Sequence, residues 1–177
     1  MTFYVEFFAD QVFLSFVKKH IEKETKFGLE DGAVCVMSSA AALEAIVNQL
    51  FISKTSLKYF DSFRFYEKIE TLASFGGIEV NWGQGPWQGI NELIKVRNWL
   101  AHYKETTIGL INSDSQWIID NVNKKPKIEP GIVLSRSNSQ KYYNAVLTGS
   151  FELAQALKAG CEFDFLLSQN YESIIVG

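Results

Sequence analysis

The chain is expected to be all-α: a single-domain bundle of about five helices. Apolar residues recur at helical spacing in several separate segments. One of those segments, residues 31–53, is apolar nearly all round, as a central helix must be. The 177 residues, 47% hydrophobic and 21% charged, also suffice for one real core but not for two. Residues 1–177 are therefore read as one domain, with no internal repeat and no low-complexity tract.

The first helix is expected over residues 4–25. Phe7, Phe8, Val12, Phe13, Phe16, Val17 and Ile21 form its apolar side, and Lys18, Lys19, Glu22, Lys23 and Glu24 its wet one. FGLEDG reads as a turn. The second helix, about Asp31 to Ser53, carries Val34, Val36, Met37, Leu43, Ile46, Val47, Leu50 and Phe51. A third fits residues 61–75 and stops at Gly76-Gly77. The segment IEVNWGQGPWQ reads as an ordered loop, with Pro86 near the first turn of a fourth helix running from about Trp87 to Tyr103.

Residues 104–137, punctuated by Pro126, Pro130 and Gly131, are expected to be an irregular surface insertion with at most a small hairpin. A last helix is expected from about Ser139 to Leu167, with Tyr143, Val146, Leu147, Leu153, Leu157 and Phe165 on its buried face, before a fraying tail.

A formal charge of −3 and a pI near 5.5 argue against a protein that coats nucleic acid with a general basic surface. A small basic pocket on an acidic body remains compatible with them. Cys35 and Cys161 lie far apart with no CxxC partner, and read as buried cytosolic thiols. No apolar run approaches the roughly 18–20 residues that a membrane span requires, and the N-terminus lacks the basic start and cleavage site of a signal peptide. The expected location is the cytoplasm, with no membrane partner.

KVRNWLAHYK, residues 95–104, is the stretch that carries chemistry. At about 100° per residue, Ile90, Leu93, Ile94, Leu100 and Ala101 form one stripe, and Arg97 falls near its centre. Asn98 and His102 share the adjacent edge with Asn91 and Lys95. A guanidinium on an apolar stripe is costly unless its donors are satisfied. Two readings follow. In one, Arg97 is locked in the core to Glu44, which lies one turn from Asn48 on the second helix, and both residues are structural. In the other, Arg97 and His102 work together. A histidine titrates near neutrality and can give or take a proton. An arginine offers a fixed fork of donors to a phosphate, and Asn98 can hold either the imidazole or a phosphate oxygen. Such groups suit metal-free cleavage of an RNA phosphodiester: the 2′-hydroxyl attacks, the histidine manages protons and the arginine steadies charge on phosphorus.

RNWLAH, residues 97–102, resembles the Arg-Asn-x-x-x-His signature of the HEPN superfamily, and AAALEAIVNQLF resembles the central helix that precedes it there. The resemblance spans roughly residues 30–105 and is carried elsewhere only by helical character. It implies an all-α bundle that pairs as a homodimer, so that two motifs meet in one composite cleft. It also implies a metal-independent endoribonuclease of a toxin or defence system, with a cognate antitoxin or inhibitor protein as a further partner. Other members of the superfamily keep the fold for binding or scaffolding.

By that resemblance Arg97 and His102 are catalytic and Asn98 assists. Lys95 and Lys104 extend the charge along RNA, while Glu44, Asn48 and Tyr103 support. One departure stands out. Family toxins paired with nucleotidyltransferase antitoxins often carry tyrosine two residues after the His, where this chain has Lys104; Tyr103 follows the His directly.

No cofactor is expected. Metal ligation finds no Cys/His cluster or HExxH pattern, and the glycines of WGQGPWQG do not form a phosphate loop. His20 reads as a surface residue. Trp82 and Trp87 read as anchors for their loop, with base stacking as the alternative. Lys124, Lys125 and Lys127 read as a solvated basic loop.

Overall fold

A computed structural model describes residues 9–55, 62–102 and 129–160. They form α1 (Ala9–Glu22), α2 (Leu29–Lys54), α3 (Phe65–Gly76), α4 (Gly85–Ala101), α5 (Pro130–Val133) and α6 (Arg136–Ala156), and no strand occurs among the described residues. The all-α expectation holds.

The centre of the bundle is α2, against which α1, α3, α4 and α6 all pack. Cys35, Val36, Ala42, Leu43, Ile46, Val47, Leu50 and Phe51 of α2 are all fully buried or nearly so. Burial of each large side chain contributes about 1.5–3 kcal/mol, which makes this helix the main source of stability. By length and apolar composition alone α2 also meets the measure of a membrane-spanning helix. That corrects the expectation that no run in the chain approaches one. The apolarity of α2 serves burial on several sides at once, and more than half of its most apolar stretch is buried inside the bundle.

The inward face of α1 differs from the expected one. Leu14, Val17 and Ile21 are buried with Asp10, whereas Val12 and Phe16 are about half exposed. Helix α1 ends at Glu22 and not at residue 25, and the expected residues 4–8 lie outside the described ones. Lys23, just beyond α1, instead pairs with Asp31 in the first turn of α2.

Helix α3 ends as expected, with Gly77 in the left-handed conformation (φ 70°) and the Ile78 N–H donating to Ala73 O at 3.0 Å. Helix α4 starts slightly before the expected Trp87, with Gln84 as its N-cap and Pro86 in the first turn. Its contact with α6 is unusually close. A Cβ built on Gly89 would lie 2.6 Å from Ala145 Cβ, and one on Gly149 the same distance from Ile90 Cδ1.

The last helix also departs from expectation. It begins at Arg136, where Ser135 Oγ accepts from the Asn138 N–H at 3.3 Å, and it ends at Ala156. Lys158 then takes a left-handed conformation (φ 49°), and the Ala159 N–H donates to Ala154 O. This ends the helix eleven residues before the expected Leu167. Of the expected insertion over 104–137, residues 130–133 form the single turn α5 and residue 136 already belongs to α6. Residues 103–128 lie outside the described ones.

Candidate functional site

Helix α4 is held in place by Trp87, Ile90, Leu93, Ile94 and Val96, all buried. The apolar stripe runs through Ile90, Leu93 and Ile94 and then leaves the core. Arg97 and Leu100 are half-buried, while Ala101 is exposed. Arg97 therefore occupies the angular centre of the stripe at the turn where burial ends, so its guanidinium is never fully desolvated. That resolves the cost a charge on this face would otherwise carry. Most of the stripe is spent on the chain's own core, and only this last turn is left to face outward.

Arg97 donates from Nη1 to Asn98 Oδ1 at 3.0 Å. Both residues line a cleft of about 250 Å³ between α2, the start of α3 and α4. Leu43 and Ile94, both buried, supply its apolar floor. Glu44 enters from α2, and Arg64, Phe65 and Tyr66 from the start of α3. Glu44, Arg64 and Asn98 are exposed, so the cleft opens to solvent. Its charged groups are two guanidiniums and one carboxylate.

The buried Arg97–Glu44 lock is not present. Glu44 is exposed, Arg97 is half-buried, and no ion pair joins them among the described residues. Asn48 is not in the cleft. Its Oδ1 accepts from the buried Lys68 Nζ at 2.9 Å, which ties α2 to α3. Lys95 is exposed and does not line the cleft. His102 is the C-cap of α4, exposed, with its backbone N–H donating to Asn98 O at 3.0 Å. It stands one turn beyond Asn98 and outside the lining of the cleft. Tyr103 and Lys104 lie outside the described residues, as do Lys124, Lys125 and Lys127.

The walls are braced from behind. Tyr66 Oη donates to Asn91 Oδ1 at 3.2 Å, and Asn91 Nδ2 donates to Trp82 O. The Tyr66 ring stands edge-on to Trp82 at 4.8 Å, and burial pushes its phenol pKa up. Trp82 Nε1 donates to Glu70 Oε1 at 2.9 Å, and its ring meets Trp87 at 6.2 Å. Both indoles are thus engaged in anchoring the loop before α4. His20 takes no part in the site; its Nδ1 is 2.9 Å from Phe16 O on α1. No group of three His, Cys, Asp or Glu side chains fit to hold a metal occurs among the described residues.

Arg64, Phe65 and Tyr66 are site residues that sequence reasoning missed. FRFYEK was placed inside the third helix, where an arginine reads as one more surface charge. In fact α3 starts at Phe65, and Arg64 is its N-cap in extended conformation (ψ 154°), with its N–H donating to Glu67 Oε2 at 2.7 Å. An Arg three residues before a Glu is the available signal, since the reciprocal half of a capping box needs that acid. No family model, no curated protein and no solved structure matches the chain.

Proposed function

We propose that the chain is a HEPN-like, metal-independent endoribonuclease of the toxin or defence type, cytoplasmic and active as a homodimer. One observation carries this reading: Arg97 and Asn98 line a solvent-open cleft while His102 stands exposed one turn further along the same helix. In the proposed reaction the RNA 2′-oxygen bonds to phosphorus and the bond to the 5′-oxygen breaks, leaving a 2′,3′-cyclic phosphate and a 5′-hydroxyl. A histidine takes the 2′ proton and a histidine supplies one to the leaving oxygen. Arg97 stabilises the charge that builds on the phosphoryl oxygens. A second copy, meeting the first at the open end of α4, supplies the second His102. A cognate antitoxin or inhibitor would act by covering this end of the bundle.

The test is cleavage of bulk RNA and of tRNA in EDTA by the full chain and by His102→Ala. The parent cleaves, and the variant loses about 100-fold or more. Unchanged cleavage by the variant, or a parent that works only with added metal, refutes the proposal.

The position of His102 outside the cleft of a single chain favours a second reading, a non-catalytic HEPN-like module that binds nucleotide, RNA or a protein partner. Under that reading no RNA offered is cut, while a ligand still binds the cleft.

A further inference from the structure

We propose that Arg64 is a second phosphate-binding arginine of this site, holding with Arg97 one internal phosphodiester of single-stranded RNA, and that Glu44 restricts the cleft to a singly charged group. This rests on the reading of the cleft as an RNA site.

Three observations lead to it. First, Arg64 and Arg97 reach the cleft from different helices, Arg64 from the cap of α3 and Arg97 from the last turns of α4. Among the described residues no hydrogen bond or ion pair engages the Arg64 guanidinium, so its donors are available to a ligand. Two arginines from different helices in one cleft suit the non-bridging oxygens of a phosphate, each able to donate as a fork. Second, Glu44 lines the same cleft unpaired with either arginine, which leaves one net positive charge. A phosphodiester carries a single negative charge and matches that balance. A nucleoside triphosphate carries several, and would crowd them against the Glu44 carboxylate. Third, about 250 Å³ is at the small end for a ligand pocket. It encloses a phosphate with part of its sugar or base, and a polyphosphate tail would have to extend beyond it into solvent. The acidic protein thus gains local affinity for a strand without a broad basic surface.

The experiment measures binding of a 2′-O-methylated single-stranded RNA oligonucleotide, which cannot undergo 2′ attack, by fluorescence anisotropy over a salt series. ATP serves as competitor. The full chain binds the oligonucleotide more tightly than ATP. Arg64→Ala weakens oligonucleotide binding about tenfold and lowers the slope of log K against log salt by about 0.7, the value for one lost phosphate contact on a single strand. Arg64→Lys restores the slope but only part of the affinity, because it keeps the charge and loses the fork. Glu44→Gln tightens ATP more than it tightens the oligonucleotide. A purely structural role for Arg64 would not move the salt slope. The Arg64→Lys variant keeps the test readable should the alanine variant fail to fold.

Unchanged affinity and slope in Arg64→Ala, or ATP bound as tightly as the oligonucleotide by the parent, overturns the inference. The two proposals fail separately. A chain that never cuts RNA yet binds the uncleavable strand through Arg64 loses the nuclease reading alone. A chain that cuts RNA with an indifferent Arg64 loses this inference alone.

Discussion

The Arg97 guanidinium donates to the carboxamide oxygen of Asn98, its immediate neighbour, at 3.0 Å. Adjacent helical residues point about 100° apart, so this contact draws the guanidinium sideways off the apolar stripe. It turns toward the edge of α4 that also carries His102. Asn98 has a neutral acceptor, which orients the arginine without cancelling its charge.

Replacing that acceptor by a charged one tests the arrangement. Asn98→Asp should hold Arg97 in an ion pair and remove the net positive charge of the cleft. Binding of uncleavable single-stranded RNA is expected to fall on the order of tenfold. Because Asn98 is exposed, the melting transition should shift by no more than about 0.5 kcal/mol in stability. Asn98→Ala, which frees Arg97 without neutralising it, should fall between the parent and the aspartate variant. Equal RNA affinity in all three proteins would show that the Arg97–Asn98 contact does not orient a ligand group.

The approach of α4 to α6 sets where the motif sits, and Gly89 stands at one of its close contacts. A Cβ there would come within 2.6 Å of Ala145 Cβ, both on well-packed helical backbone. Gly89→Ala must push the helices apart, and should cost about 1–3 kcal/mol despite the better helix propensity of alanine. Ala145→Gly in the same chain should restore part of that loss by removing the opposing methyl. Urea midpoints of the parent, the two single variants and the double variant make the cycle. Additive effects would mean the two positions do not meet.

Much of this fold was legible because its signals are local. The high apolar content of residues 34–51 marks α2, Gly77 marks the end of α3, and Pro86 marks the first turn of α4. The placement of Arg97 at the centre of the α4 stripe also followed from spacing alone. What spacing could not supply was where the stripe leaves the core, since that depends on which neighbours cover each turn. The fate of Glu44 turned on the same point. One of the two readings makes it a buried partner for Arg97, since α2 is so apolar, yet it is exposed on that helix. The end of α6 was hidden for a different reason. The left-handed residue that stops it is Lys158, and lysine carries none of the turn signal that glycine does. Arg64 joined the cleft unseen because its role comes from the meeting of α3 with α2 and α4, a long-range event that no periodicity encodes.

The turn between α1 and α2 carries a pH dependence whose sign is fixed by its contacts. Asp31, nearly buried in the first turn of α2, accepts hydrogen bonds from the Lys23 ammonium and from the Gly28 N–H, the latter at 2.7 Å. The Lys23 bond first, then the Gly28 bond, hold its carboxyl below the usual carboxylate range. In the unfolded chain the same group returns to the ordinary carboxylate range and binds a proton more readily. The folded state is therefore favoured at all pH values above that range, and this contribution is lost as pH falls through the depressed folded value. Asp31→Asn keeps an acceptor for Gly28 but abolishes the ionic contact. The urea midpoint of the variant should lie below the parent's at pH 7, and the gap should narrow as pH is lowered past about 4, until the two converge in acid. A gap that stays constant from pH 7 to pH 3 would mean that Asp31 stabilises the turn by shape and hydrogen bonding, with no net gain from its charge.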